Sequence, residues 1–199
     1  MRPLVIKLGG SLIGSSALGD WLAAVTCLPG RAILVPGGGP FADAVRTAQA
    51  KLGFGDAAAH AMAILAMEQY AHALLDLAPA LAPCATRAEL TAARHGVWLP
   101  ARLALAASDI PPSWDVTSDT LAAWLACEIE ASGLALVKRA GAPTAGSTPL
   151  DWAAEGLVDP AFPAAAARFG GPVTCLGDAD PSRLAAFATT AAFPRALTG

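Results

Sequence analysis

The sequence predicts an α/β protein built around a mainly parallel sheet. Along its 199 residues, short apolar runs rich in β-branched residues alternate with helical stretches of ten residues or more. This alternation is typical of parallel strands joined by crossover helices. Two of the runs end in glycines, "KLGGS" at 7–11 and "PGGGP" at 36–40. Glycines there suit tight turns from a strand into the next helix.

The first half of the chain predicts two strands and three helices. Ser15 or Ser16 is the candidate N-cap of the first helix, and Asp56 that of the third. Pro79 or Pro83 should end the third helix, because proline cannot continue one. The strands are predicted over 3–8 and 31–36, and the helices over 15–28, 41–52 and 56–81.

The second half continues the same alternation without an internal repeat. Gly96 and Gly133 are predicted to end a short helix and an amphipathic helix, respectively. Residues 140–160, rich in Pro, Gly and Ala, are predicted to be a loop or lid. The elements are a helix over 87–96, an extended segment over 97–105, a loop running into a helix over 113–133, strands over 134–141 and 172–177, and a terminal helix over 180–192.

Composition favours a soluble, cytoplasmic protein. Although 55% of residues are hydrophobic and the mean hydropathy is +0.50, much of this is alanine, and no apolar run reaches the length of a membrane span. The apolar run before Lys7 is too short for a signal peptide. The four cysteines lack zinc-ligand spacing, and no disulfide is expected. A net charge of −3 without basic runs argues against nucleic acid or membrane as a partner.

Lys7 is the first residue that points to chemistry. It is one of only three lysines and stands inside an apolar run directly before two glycines. Ligands of open α/β sheets bind at the carboxyl ends of strands, where glycine-rich turns and helix N-termini favour anions. Two such turns facing one crevice could hold both sides of a transferring phosphoryl group, with Lys7 neutralising its charge. The alternative is a lysine on an edge strand with its ammonium in water.

Asp119, Lys138 and His60 are the other candidates. Asp119 either caps the helix that it starts or orients two lysines, and Lys138 at a third strand end makes the second interpretation attractive. A histidine on a long helix, such as His60, is more often a core or surface residue.

In order, "KLGGSL", "VPGGGPFADAVR", "DVTSDTLAAWLA", "LVKRAG" and "GGPVTCLG" resemble the motifs of the amino acid kinase family. The resemblance covers nearly the whole chain. It implies a carbamate kinase-like αβα sandwich in one domain, 1–199, with about 1–110 on the acceptor side and 111–199 on the nucleotide side. It also implies in-line transfer of the ATP γ-phosphoryl group, with Mg²⁺ held mainly by ATP phosphates.

"VPGGGPFADAVR", "AAAHAMAILAMEQYA" and "WDVTSDTLAAWLA" are most similar to a small branch, the kinases of methanofuran biosynthesis. That similarity implies phosphorylation of aminomethyl-furanmethyl phosphate to the diphosphate. The alternatives are a kinase of another small phosphate or carboxylate, and a non-catalytic nucleotide- or oxyanion-binding protein. A homo-oligomer, expected to be a dimer, is also implied, although the apolar helix at 62–75 could equally be core.

The resemblance assigns a role to each matching position. Lys7 and Asp119 would be catalytic, with Asp119 organising the lysines. Residues that would bind the nucleotide are Gly9, Gly10, Ser11 and Lys138, and those that would bind the acceptor are Gly37, Gly38, Gly39, His60 and Thr117.

Three assignments stay open at this point. Arg46 either reaches an acceptor phosphate or is a solvated helix arginine, and Asp43 or Asp115 would meet an amine on the acceptor. Many family members have a late ATP-binding lysine, but no lysine follows Lys138 here. Lys138, Arg139 or Arg168 would then take that role, or nucleotide binding differs.

Overall fold

The computed structural model describes residues 1–192, so the last seven residues of the expected domain lie outside the described part. Its strands are β1 (Leu4–Leu8), β2 (Ala32–Pro36), β3 (Ala82–Cys84), β4 (His95–Trp98), β5 (Gly133–Lys138) and β6 (Val173–Gly177). Its helices are α1 (Ala17–Thr26), α2 (Gly39–Leu52), α3 (Asp56–Leu77), α4 (Arg87–Ala92), α5 (Ala101–Ala104), α6 (Ser118–Glu128), α7 (Pro149–Ala154), α8 (Phe162–Phe169) and α9 (Ser182–Ala192), with a 3-10 turn at Gly10–Leu12.

The sheet is parallel throughout the described residues, in the order β3-β4-β2-β1-β5-β6. β1 is central, and every one of its residues is buried. Val5 and Ile33 pack on the face covered by α6 and α8, whereas Ile6 and Leu34 pack on the face covered by α1 and α9. Helices therefore cover both faces, which confirms the predicted αβα sandwich.

The connections place a crevice at the carboxyl ends of β1 and β5. The chain leaves β1 towards β2 on one side, and it leaves β5 towards β6 on the other. Neighbouring strands whose connections depart in opposite directions form the switch point at which α/β proteins bind ligands. Lys7 lies near the end of β1, and Lys138 is the last residue of β5.

Several predicted boundaries are confirmed, and of the two prolines predicted to end the third helix it is Pro79 that does so, although the helix ends short of residue 81. α3 stops at Leu77 rather than residue 81, because Ala78 precedes Pro79 and has left helical geometry. Its N-cap is Gly55, so Asp56 is the first helical residue. Ser16 is the N-cap of α1 as predicted, although Ser15 supplies the hydroxyl that accepts from Ala17 N–H.

The two glycines that were predicted to end helices belong to strands instead. Gly96 lies inside β4, where a Cβ would stand 2.6 Å from Cys84 Sγ, so close strand packing requires glycine there. Gly133 is the first residue of β5, and the preceding helix α6 ends five residues earlier at Glu128. α6 is buried on nearly all sides between the sheet and α8, which is why its sequence is not truly amphipathic.

Other differences concern short elements. The predicted extended segment at 97–105 ends with β4 at Trp98 and turns into α5. Within the predicted loop at 140–160, Thr148 and Asp151 form a capping box that starts α7. β3 and α8 are two elements that no sequence pattern predicted. Among the described helices, none combines the length and apolarity needed to cross a bilayer.

Candidate active site

Lys7 is a buried lysine at the centre of the sheet. It pairs in register with Val35 of β2 and Leu136 of β5, so the edge-strand interpretation is wrong. Only 4% of its surface is exposed. Because side chains alternate along a strand, Lys7 shares the face of Val5, which is the face covered by α6.

Asp119 lies between two lysines. Its Oδ1 atom is 2.8 Å from Lys7 Nζ, and its Oδ2 atom accepts a hydrogen bond of 2.6 Å from Lys138 Nζ. The Lys7 ammonium is thus an ion-pair partner of Oδ1, and because an ammonium has three N–H groups, the pair leaves others free to meet a further acceptor. Asp119 therefore pairs with both lysines and does not cap the helix, and its role in organising them for catalysis stays a prediction.

This cluster changes the titration of its members. Burial alone would raise the pKa of Asp119, but the charges of Lys7 and Lys138 outweigh burial and hold that pKa below its ordinary value. Burial, together with the nearby charge of Lys7, lowers the pKa of Lys138 to about 8 despite the opposing effect of Asp119. Such shifts within a crevice are common at catalytic sites.

If the Lys138 ammonium takes part in phosphoryl transfer, kcat/KM should fall above pH 8. Its pKa of about 8 means that the charged form is lost as the pH rises through that value. The measurement is kcat/KM for ATP between pH 6 and 10. A Lys138→Arg variant is the control, because guanidinium stays charged over this range and should remove the fall. A flat wild-type profile up to pH 10 would contradict the role.

The two glycine-rich turns touch each other through their backbones. A Cβ on Gly10 would lie 2.2 Å from Gly39 N, and Gly39 itself has a φ of +52°. Gly10 and Gly39 therefore permit an approach that other residues would block. The Gly9 N–H donates to Val137 O at 3.0 Å and is not free for a phosphate. Gly9 as a nucleotide ligand stays a prediction.

Gly10→Ala should lower the free energy of unfolding by about 2 kcal/mol, because the added methyl group forces the two turns apart. Urea unfolding measures the change. Gly19→Ala is the matched control, since nothing lies near its Cβ position in helix α1. That substitution should stabilise the protein by about 0.5 kcal/mol. Equal responses of the two variants would contradict the close packing of the turns.

A cavity of about 520 Å³ opens beside the cluster. The sequence-predicted residues that line it are Gly10, Ser11, Gly38, Gly39, His60 and Thr117. The other five predicted residues do not line this cavity. They are Lys138 and four buried residues, Lys7, Gly9, Gly37 and Asp119. The structure thus brings the predicted acceptor residues, Gly37 excepted, into the wall of one cavity adjoining the lysine cluster.

Arg46 and Trp114 form one wall of the cavity. The Arg46 guanidinium stacks 4.1 Å from the centre of the Trp114 ring, and Arg46 Nη1 is 3.4 Å from Asp43 Oδ1. Gln49 accepts a 2.7 Å hydrogen bond from Trp114 Nε1 and holds the indole in place. Arg46 is therefore positioned at the cavity, and Asp43, unlike Asp115, also lines it.

The two arginines that could replace the late ATP-binding lysine, Arg139 and Arg168, lie in different places. Arg139 lines the cavity directly after Lys138. Arg168 lines a different pocket, at the amino ends of β5 and β6, and it pairs with Asp109 at 3.0 Å. Arg168 is thus placed away from the cluster, and Lys138 is the cation that reaches Asp119.

Asp159 is a buried residue that the sequence analysis missed. Its Oδ2 atom accepts from Thr117 N–H at 2.9 Å, Thr117 Oγ1 at 2.7 Å and Thr120 N–H at 3.1 Å, and its Oδ1 atom accepts from Thr120 Oγ1. Asp159 thereby caps the N-terminus of α6 from a loop 42 residues after Thr117. No local spacing signals a cap supplied from so far along the chain.

Within residues 1–192, no group of three acidic, histidine or cysteine side chains is arranged to hold a metal ion. Both carboxylate oxygens of Asp119 face ammonium groups. The cluster presents ammonium groups next to glycine backbone, an arrangement that favours an anion.

Comparison with known proteins agrees with this geometry. The amino acid kinase family model matches residues 2–140. Uridylate kinase from Archaeoglobus fulgidus is similar with a TM-score of 0.70 at 16% identity, covering 95% of this chain and 96% of that one. UMP kinase from Bacillus anthracis gives 0.70 at 13% identity, covering 94% and 92%, and that from Ureaplasma parvum 0.60 at 14%, covering 90% and 91%. At these identities the likeness establishes the fold. No curated protein sequence matches the chain.

Proposed function

The chain belongs to the amino acid kinase family, and on that premise we propose that it is an ATP-dependent phosphotransferase. Its proposed acceptor is (5-(aminomethyl)furan-3-yl)methyl phosphate, converted to the diphosphate in the biosynthesis of methanofuran-type C1 carriers. The observation that carries the proposal is the buried arrangement of Lys7, Asp119 and Lys138 at the switch point of the sheet.

The reaction requires positioning and charge neutralisation rather than a covalent enzyme intermediate. An oxygen of the acceptor phosphate forms a bond to the γ-phosphorus of ATP while the bond from that phosphorus to the β–γ bridging oxygen breaks, releasing ADP. Lys7 would stabilise the charge on the transferring group, and Lys138 would neutralise the nucleotide phosphates. Magnesium bound to ATP phosphates would supply further charge neutralisation.

The two parts of the chain would bind different substrates. Residues up to about 110 would form most of the acceptor side, and the later residues would form the nucleotide side. Gly10 and Ser11 would face the nucleotide phosphates, and Gly37, Gly38 and Gly39 the acceptor phosphate. Residues of both turns line the cavity, which extends to Trp114 and Thr117.

The cavity supports a small, partly apolar acceptor. Ile64, Met67 and Leu121 supply apolar wall, Trp114 supplies an aromatic face, and Arg46 lies where a phosphate could be met. A furan ring with one phosphate and one amine has matching chemistry. The chain shares its fold with uridylate kinases, but the low sequence identity does not show that it shares their acceptor. UMP is therefore the acceptor with which the furan phosphate should be compared.

The test is incubation of the purified protein with MgATP and the furan phosphate, followed by phosphorus NMR. A new diphosphate signal is expected with this acceptor, and none with UMP, acetylglutamate or no acceptor. A Lys7→Ala variant reports whether the product depends on the cluster. If UMP were phosphorylated and the furan phosphate were not, the proposed acceptor would be wrong and UMP would take its place. Nucleotide binding without phosphorylation of any acceptor would favour a non-catalytic binding protein, the second class that the fold admits.

A homodimer is a separate proposal. Apolar residues of α3 such as Ile64 and Met67 are core, whereas Met62 and Leu65 are exposed on its outer face. We expect sedimentation equilibrium to give twice the 20.0 kDa mass of the chain, and Leu65→Glu to lower it towards the monomer. A monomeric wild type would contradict this arrangement.

A further inference from the structure

Asp159 is a buried carboxylate whose two oxygens are both occupied by the first turn of α6. Its Oδ2 atom accepts from the Thr117 N–H, the Thr117 hydroxyl and the Thr120 N–H, and its Oδ1 atom accepts from the Thr120 hydroxyl. Because Asp159 is only 7% exposed, little water competes for these bonds. The start of α6 is therefore fastened to the loop that precedes α8.

α6 needs a carboxylate from elsewhere because its own sequence lacks a capping box. α4 and α7 each begin with a threonine that is followed three residues later by an acidic residue, Glu89 or Asp151, whose side chain accepts from the threonine N–H. In α6 the corresponding residue is Thr120, and the N-cap Thr117 makes no side-chain cap within its own helix. Asp159 takes the place of the missing acidic residue, because it accepts from the Thr117 N–H.

This external cap leaves Asp119 free for another task. Asp119 lies between the two threonines that Asp159 holds. A carboxylate in the first turn of a helix is commonly attracted to the free N–H groups there. Since Asp159 already serves two of those groups, the Asp119 carboxylate can face the strands instead. There it pairs with Lys7 of β1 and Lys138 of β5.

We propose that Asp159 is a positioning residue that holds Asp119 between Lys7 and Lys138. Asp159 acts through the α6 backbone, since no hydrogen bond or ion pair among the described residues joins it to either lysine. If this turn loosens, the Asp119 carboxylate withdraws and the two ammonium groups lose their shared partner. The consequence for catalysis rests on the proposed function, but the position of Asp119 can be tested without any substrate.

The measurement is an NMR titration of protein labelled with ¹³C at the lysine ε-carbons. The chain contains only three lysines, so three signals are expected, and Lys51→Arg and Lys138→Arg variants assign them. Burial and the charge of Lys7 lower the pKa of Lys138 to about 8, and Asp119 opposes them. Burial raises the pKa of the neighbouring Cys175 thiol to about 11, so Lys138 should titrate before this thiol does.

Asp159→Asn should lower the midpoint of the Lys138 titration from about 8 to about 7 or below, because the withdrawn Asp119 carboxylate no longer favours the ammonium. Asp151→Asn is the matched control. It removes a carboxylate that also accepts from a threonine N–H and hydroxyl, but at the start of α7. This control should leave the Lys138 midpoint unchanged.

A double-mutant cycle separates position from charge. In an Asp119→Asn background, Asp159→Asn should cause no further change, because the carboxylate that it positions is already gone. A further fall of equal size would show that Asp159 acts on Lys138 through its own charge and would overturn the proposal. Circular dichroism identifies any variant that fails to fold. Thr120→Val then decides: it removes only the hydroxyl bond to Asp159 Oδ1 and should lower the Lys138 midpoint to about 7.5, and an unchanged midpoint would overturn the proposal.

The outcomes distinguish this inference from the proposed function. A fall in the Lys138 midpoint confined to Asp159→Asn, together with a loss of about tenfold in kcat, would support both. The same fall in a protein that phosphorylates no acceptor would support the positioning of Asp119 and remove the proposed function. An unchanged midpoint in folded Asp159→Asn would overturn the inference even if that variant were less stable. An equal fall in Asp151→Asn would also overturn it.

Discussion

Lys7→Ala is expected to lower kcat about 1,000-fold while changing the acceptor KM little. Lys7 is the buried cation at the carboxyl end of the central strand, and its ammonium pairs with Asp119 Oδ1 at 2.8 Å. An ammonium has three N–H groups, so those not directed at Asp119 can donate to oxygens whose negative charge grows in the transition state. Loss of one such preorganised donor typically costs about 10²–10³ in rate, and a full positive charge should lie at the upper end.

Folding should survive this substitution, because Asp119 keeps Lys138 as a partner. The matched control is Lys51→Ala, which removes the same charge from the exposed last turn of α2 and should leave kcat unchanged. Steady-state kinetics with saturating MgATP measure both. A loss of less than tenfold in Lys7→Ala would show that Lys7 does not contact the transferring group.

The sequence predicted β1, β2, β5 and β6 and a ligand crevice at the carboxyl ends of strands, because these depend on local patterns. An apolar run followed by glycines defines β1 and β2 without reference to the rest of the chain. The central position of Lys7 also followed from its neighbours, since buried parallel strands are continuously apolar. The prediction that Gly96 ends a helix was wrong because its role depends on tertiary packing. Glycine is common at helix ends, but here it allows Cys84 of the adjacent strand to approach closely.

The residues of the candidate site show the same distinction between local patterns and tertiary structure. The Lys7–Asp119–Lys138 cluster could be anticipated because each member stands at the end or start of a predicted element. Asp159 could not, because its role depends on a loop folding back to a helix that begins 41 residues earlier in the chain. The contact of His60 Nδ1 with Ser113 O likewise follows from no local pattern, because only the tertiary fold brings these two atoms within 3.3 Å.

Asp119→Asn is expected to lower both activity and stability. The substitution keeps the shape of the side chain but leaves two ammonium groups in a buried site without their shared carboxylate. Removing one partner of a buried ion pair costs about 3–5 kcal/mol, which denaturant unfolding at pH 7 should detect. We expect kcat to fall about 100- to 1,000-fold, because neither lysine keeps its position.

The pH dependence separates this explanation from a general loss of packing. The pKa of Asp119 is lowered by folding, so its stabilising contribution is complete above its unfolded pKa and is lost as the pH falls through the lower folded value. The stability difference between wild type and Asp119→Asn should therefore be constant from about pH 5 to 7 and shrink in stronger acid. It should also shrink above pH 8, where Lys138 loses its proton. A difference that stays constant from acid to alkaline pH would show that Asp119 contributes shape rather than charge.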